Sequence, residues 1–138
     1  MRVVLDTDVM VAALRSATRA SRTLLLAGID RRLTLVVSAT LLFEYESVLK
    51  RPEHLAAACA DESDVDVVLD QLVAAADAIE THYLWRPQLT DGGDELVPEA
   101  AVNGRADALV TFNLSDFDGP AQRFGLRLCR PSDLLRSL

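Results

Sequence analysis

An apolar run that halts on an aspartate opens this chain. Val3-Val4-Leu5 leads into Asp6-Thr7-Asp8, and a second apolar segment, Val9-Met10-Val11-Ala12-Ala13-Leu14, starts at once. A short continuous run of β-branched and aliphatic residues reads as a strand buried on both faces, the habit of parallel sheets covered by helices on each side. Asp6 then stands at the carboxyl end of a central parallel strand, and Asp8 is placed to cap the helix that follows. Ligands of open α/β sheets bind in the crevice beyond those carboxyl ends. The chain therefore sets a charge where such folds do their chemistry within its first ten residues.

The same alternation continues to the end of the chain. A short helix is expected over 9–14 and another over 19–28, where Gly28 can terminate it. Leu33 to Val37 reads as a second strand, and Ser38 caps a helix from Ala39 to Lys50. Pro52 opens a short helix, and residues 62–78 form an acidic-faced one with Val65, Val68, Leu69, Leu72, Val73 and Ala76 near helical spacing. Ile79 to Leu84 reads as a short strand and Arg86 to Gly93 as a loop. Asp94 begins a helix that stops at Asn103-Gly104. Ala108 to Phe112 is a third buried strand, Asn113 to Gly119 a polar turn, and 120–124 one helical turn. Leu126 to Cys129 reads as an edge strand, and Pro131 starts a terminal helix. Alternation of this kind in 138 residues implies one α/β domain, residues 1–138, built as a three-layer α/β/α sandwich around a mainly parallel sheet of four to five strands.

The formal net charge of −7 argues against a broad basic surface for duplex DNA. It allows a nucleic-acid enzyme whose acidic site turns positive on binding divalent cations. No apolar run approaches the roughly 20 residues that cross a bilayer, and Asp6 and Asp8 interrupt the only N-terminal apolar stretch, so the expected setting is soluble and cytoplasmic. Cys59 and Cys129 lie far apart in no metal-binding pattern and read as unpaired thiols. His54 and His82 are isolated, which argues against zinc.

Chemistry is left to the acids. Asp6 ends the first strand, Glu44 lies in the helix after the second, Asp91, Asp94 and Glu95 stand before the third, and Asp116 follows it. Parallel neighbours bring such ends together. Carboxylates gathered in one crevice repel and raise one another's pKa, a cost that hard cations such as Mg²⁺ or Mn²⁺ offset. Several of these acids also have simpler uses. Asp8 and Asp94 can cap helices, Asp116 can form a turn, and the acids at 61, 62, 64, 66 and 70 suit a solvated helix face. Asp107 precedes the third strand, at the wrong end for the crevice, and reads as structural. Glu44 and Glu46 flank the stripe of Leu41, Leu42, Tyr45, Val48 and Leu49 on opposite sides, and periodicity does not choose between them.

These motifs resemble those of the PIN-domain family nearly end to end. Val3-Val4-Leu5-Asp6-Thr7 is similar to the opening strand with its first acid. Leu35-Val36-Val37-Ser38 with Leu41-Leu42-Phe43-Glu44-Tyr45 is similar to the segment carrying the second, which favours Glu44. Asp94-Glu95, Glu99-Ala100-Ala101 and Ala106-Asp107-Ala108-Leu109-Val110-Thr111 resemble the third-acid region, with Glu95 in the acid's place and Asp94 beside it. Thr111-Phe112-Asn113-Leu114-Ser115-Asp116-Phe117 resembles the closing motif, with Asp116 as the fourth. The resemblance implies a Mg²⁺- or Mn²⁺-dependent ribonuclease, of the kind found as the toxin of VapBC-like toxin–antitoxin pairs, inhibited by a cognate antitoxin and often a homodimer. It implies that Asp6, Glu44, Glu95 and Asp116 hold the metal with Asp94 in support. Thr7, Thr111 and Asn113 would orient ligands or phosphate, with Asp8 and Ser38 alongside.

Three features depart from the family pattern. Position 8, often asparagine in the family, is Asp8 and adds charge beside the site. Pro98 falls in the first turns of the third-acid helix. The stretch Asp91-Gly92-Gly93-Asp94 is glycine-rich. Two other readings remain open at this level. A haloacid-dehalogenase-like phosphatase would use Asp6 as nucleophile in Asp6-Thr7-Asp8, Ser38 on phosphate, and Lys50 with Asp94-Glu95 in the remaining roles. A degenerate domain would only bind its partner or RNA.

Overall fold

The computed structural model describes residues 1–15, 19–80 and 96–138. Among them, five strands form one parallel sheet in the order β3-β2-β1-β4-β5, where β1 is Arg2–Leu5, β2 Thr34–Ser38, β3 Asp77–Ile79, β4 Ala108–Val110 and β5 Arg127–Cys129. Helices flank the sheet in the expected three layers. They are α1 (Thr7–Arg15), α2 (Arg19–Ile29), α3 (Ala39–Leu49), α4 (Pro52–Ala58), α5 (Glu62–Ala75), α6 (Leu96–Asn103), α7 (Leu114–Phe124) and α8 (Pro131–Ser137).

The central strands are apolar because both of their faces are covered. Val3 and Val4 are fully buried and Leu5 nearly so, with Val36, Val37, Leu109 and Val110 beside them. The chain steps outward from β1 to β2 to β3, then returns to place β4 on the other side of β1. The strand order thus reverses between β1 and β4, and at such a switch point the two neighbouring connections diverge and leave a crevice. Leu5 pairs with Val110, so the next residue of each strand, Asp6 and Thr111, faces that crevice together.

Several boundaries follow the sequence and others do not. Ser38 caps α3 by accepting from the Leu41 N–H at 3.1 Å, Pro52 opens α4, and Pro131 opens α8. Gly28 does not terminate α2. The helix runs on to Ile29, and a Cβ at Gly28 would lie 2.3 Å from Leu35 Cδ1, so glycine is there to let α2 approach β2 closely. Arg31, with φ 62°, makes the left-handed turn instead. Helix α5 ends at Ala75 and β3 begins at Asp77, two residues before the expected strand. The polar stretch after β4 is not a turn. It is α7 from its beginning, with Asp116 in the first turn where the helix dipole favours an acid, and Gly125 in the left-handed cap. The expected loop 86–93 and the start of the helix at Asp94 lie outside the described residues, as does most of the strand expected over 79–84. Asp107 is structural, as read: its Oδ2 accepts from the Arg2 N–H at 2.8 Å and ties the start of β4 to β1.

Candidate functional site

The chain leaves β1 at Asp6 and turns directly into α1. The Asp6 N–H donates to the Val110 carbonyl at 2.8 Å, and the Asp6 carbonyl accepts from the N–H groups of Val9 and Met10. Asp6, not Asp8, is therefore the residue on which α1 starts. Its carboxylate is 5% exposed and held at both oxygens: Oδ1 accepts from the Thr7 N–H at 2.8 Å, and Oδ2 from the Thr111 hydroxyl at 2.7 Å. That hydroxyl is itself oriented, because the Asn113 N–H donates to it at 2.9 Å.

Asp8 lies in the first turn of α1 and reaches across the switch point instead of capping. Its Oδ2 accepts from the Phe112 N–H at 3.1 Å and from Asn113 Nδ2 at 3.2 Å, which ties α1 to the turn between β4 and α7. Its Oδ1 is shielded from solvent, and the carboxyl group also interacts with Asp6, Thr111 and the Val9 N–H. The two carboxyl groups are neighbours and perturb each other. Burial, and then the charge of Asp8, push Asp6 from an ordinary 3.8 up to about 7, against the lowering influence of the Thr111 and Thr7 bonds. Burial likewise raises Asp8. Tyr45 of α3 closes the floor of the site: its hydroxyl donates to the Leu5 carbonyl, and burial with the nearby Asp6 charge keeps that hydroxyl protonated.

The remaining candidates lie farther out. Glu44 is half-buried in α3, immediately before Tyr45. Its rival Glu46 is already engaged, since Lys50 Nζ sits 3.3 Å from Glu46 and 2.7 Å from Asp66. The same pairs hold the Lys50 ammonium that a phosphatase would need at its phosphate. Asp116 is exposed in the first turn of α7. Ser38 is buried at the end of β2 and serves its own helix as a cap. Asp94 and Glu95 lie outside the described residues. Among the described residues no three His, Cys, Asp or Glu side chains are gathered as a metal site, so neither Glu44 nor Asp116 joins the Asp6–Asp8 pair as a third ligand in this arrangement.

Sequence reasoning gave no role to two buried residues, Tyr45 beneath the site and Glu99 in α6. Tyr45 looks like one member of an apolar stripe, and only its hydroxyl's bond to Leu5 sets it apart. Glu99 is 3% exposed in α6, which packs on β1, β2 and β4. A lone acid between Val97 and Ala100-Ala101 was the signal that could have flagged it.

The carboxylate oxygens of Asp6 and Asp8 suit a hard divalent cation. The set is all oxygen and negative, the kind of donor such cations take. Comparison with solved structures finds the same fold in VapBC2 from Rickettsia felis bound to a DNA fragment from their promoter. The match has a TM-score of 0.59 at 18% identity and covers 93% of this chain and 97% of that one. No curated protein matches the chain. The family model for the PIN domain matches residues 2–115, taking in β1, β4 and every residue of the Asp6–Asp8–Thr111–Asn113 network. On that match the chain belongs to the PIN-domain family.

Proposed function

We propose that this chain is a metal-dependent endoribonuclease that hydrolyses RNA phosphodiester bonds and acts as the toxin of a toxin–antitoxin pair. The observation that carries the reading is the Asp6 carboxylate, buried at the switch point, clamped at both oxygens and set against a second carboxyl group. Family membership supports a hydrolase of the nuclease kind. The Rickettsia felis protein, described as a VapBC complex, supports an antitoxin as partner. A homodimer and a cytoplasmic setting belong to the same reading. Among the described residues no helix is long and apolar enough to cross a membrane.

In this reading Asp6 would hold Mg²⁺ or Mn²⁺ together with Asp94 and Glu95, and Glu44 and Asp116, which are not gathered with it in the arrangement described, would have to close on the ion. When bound, such an ion supplies positive charge that acidifies water and offsets the charge developing on a phosphodiester under attack. The chain's own part is positioning. The Thr7 N–H and the Thr111 hydroxyl fix the plane of the Asp6 carboxylate, and the Asn113 N–H fixes that hydroxyl. Asp8 holds the β4–α7 turn, and with it the start of the helix bearing Asp116, against α1. Tyr45 and the apolar ends of β1 and β4 keep water from beneath the site, so that charge there acts through a low dielectric.

The test is cleavage of a mixed RNA pool with Mn²⁺, with EDTA and with Asp6→Asn as controls. Cleavage by the wild type alone, and only with metal, supports the reading. RNA left equally intact by wild type and mutant refutes it and leaves a binding module.

A further inference from the structure

We propose that Arg130 positions the substrate: its guanidinium holds the phosphate next to the one being cut, on a single-stranded RNA laid along the carboxyl edge of the sheet. The proposal rests on the ribonuclease reading above. Strand register puts Arg130 in line with the site. Leu5 pairs with Val110, and Val110 with Cys129. The ladder continues one step beyond each pair, since the Asp6 N–H donates to the Val110 carbonyl at 2.8 Å and the Thr111 N–H to the Cys129 carbonyl at 3.0 Å. Asp6, Thr111 and Arg130 therefore form one row across three adjacent strands. The backbone at Arg130 is still extended, with φ −82° and ψ 160°, so it keeps the alternation of the strand and stands on the face that Asp6 and Thr111 share. Two strand spacings, about 10 Å, separate it from Asp6, a gap that an arginine side chain and one nucleotide step span together.

The guanidinium is exposed and unengaged among the described residues. At the start of α8 it makes no side-chain bond, and the acid in the first turn of that helix, Asp133, is paired with Arg136 at 2.7 Å. The other charges described around this edge, Asp6, Asp8 and Asp116, are negative. A divalent cation answers the phosphate under attack, and the neighbouring phosphate needs a positive charge of its own. Arginine supplies it with a planar fork that matches phosphate oxygens. Arg127 is the contrast within the same strand. It is exposed too, but it pairs with Ala108 at the far end of β4 from the crevice.

The test is the initial rate of cleavage of a mixed pool of single-stranded RNA with Mn²⁺, against RNA concentration, for wild type, Arg130→Ala, Arg130→Lys and Arg127→Ala. Rates are taken at about 50 and about 200 mM salt, with melting temperatures alongside. A contact made equally to bound substrate and transition state sets KM and spares kcat. Arg130→Ala is expected to raise KM about fivefold at the lower salt, with wild-type kcat and melting temperature, and to flatten the salt dependence of KM by a log–log slope of about 0.7. Lysine keeps the charge and restores part of the loss, and Arg127→Ala matches wild type. Wild-type KM and salt slope in Arg130→Ala, or an equal rise in Arg127→Ala, overturns the proposal and leaves the ribonuclease reading standing. So does a loss confined to kcat or melting temperature that lysine fails to restore. No cleavage by the wild type overturns both.

Discussion

Replacing Asp6 by asparagine should make the metal-free protein more stable at pH 8 and not at pH 4.5. Burial and the neighbouring Asp8 raise the Asp6 carboxyl from 3.8 to about 7. The folded state therefore holds this proton more tightly than the unfolded chain does. The stability this group contributes is fully present below about pH 4 and is lost as the pH rises through about 7. Above that, the ionised carboxylate costs the fold about 4 kcal/mol relative to its protonated form. Asparagine is isosteric and removes the charge. It retains one acceptor for the Thr7 N–H, but its amide meets the Thr111 oxygen, so the hydroxyl that now donates to Asp6 must turn away. Exchanging that charge-assisted bond for a neutral one of reversed direction returns about 1–2 kcal/mol. A net gain of about 2–3 kcal/mol remains at pH 8, a rise in Tm of roughly 5–10 °C for a domain of this size. At pH 4.5 the wild-type carboxyl is protonated, and the mutant should be equal or slightly worse. Thermal unfolding in EDTA at the two pH values measures both differences. A mutant no more stable than wild type at pH 8, or stabilised equally at both, would show that no charge penalty is stored at Asp6.

Three further outcomes follow from the geometry. Glu44→Gln should abolish cleavage of an RNA pool, whereas Glu46→Gln, which loses only a partly exposed pair with Lys50, should keep it and shift stability by no more than about 1 kcal/mol. Thr111→Val matches the threonine in shape but removes the donor to Asp6. It should weaken Mn²⁺ binding about tenfold or more, read by calorimetry, because the carboxylate loses the contact that orients it. Gly28→Ala adds a Cβ within 2.3 Å of buried Leu35, so denaturant unfolding should show a loss of about 1–3 kcal/mol in spite of alanine's better helix propensity.

The parts of this fold legible in the sequence are those where burial alone dictates residue type. Val3-Val4-Leu5 and Leu109-Val110 are apolar at every position because the strands are covered on both faces, and that pattern is visible locally. Helix α7 was hidden for the opposite reason. Its Ser115, Asp116, Asp118 and Gly119 are exposed, so its first two turns carry little apolar signal besides the buried Phe117. Gly28 looks like a stop because glycine is common at helix ends, and only the position of β2 reveals that it marks a close approach. Within the site, Asp6 was legible from the end of its strand. The role of Asp8 was not, since its partners Phe112 and Asn113 are more than a hundred residues away in sequence and either aspartate at a strand–helix junction satisfies the rules for a cap. The choice of Glu44 over Glu46 came from family resemblance, and the pairing of Glu46 with Lys50 is a contact that periodicity does not encode.

The strand order carries a consequence for biosynthesis. The strand that ends on Asp6 is made more than a hundred residues before the hydroxyl that orients Asp6 and the amides that hold Asp8. Until β4 inserts beside β1, the nascent polypeptide has acids but no cradle for them. A fragment that ends before β4 lacks the Thr111, Phe112 and Asn113 donors to both aspartates. The arrangement around Asp6 and Asp8 therefore forms only after segments more than a hundred residues apart have both been made and have paired.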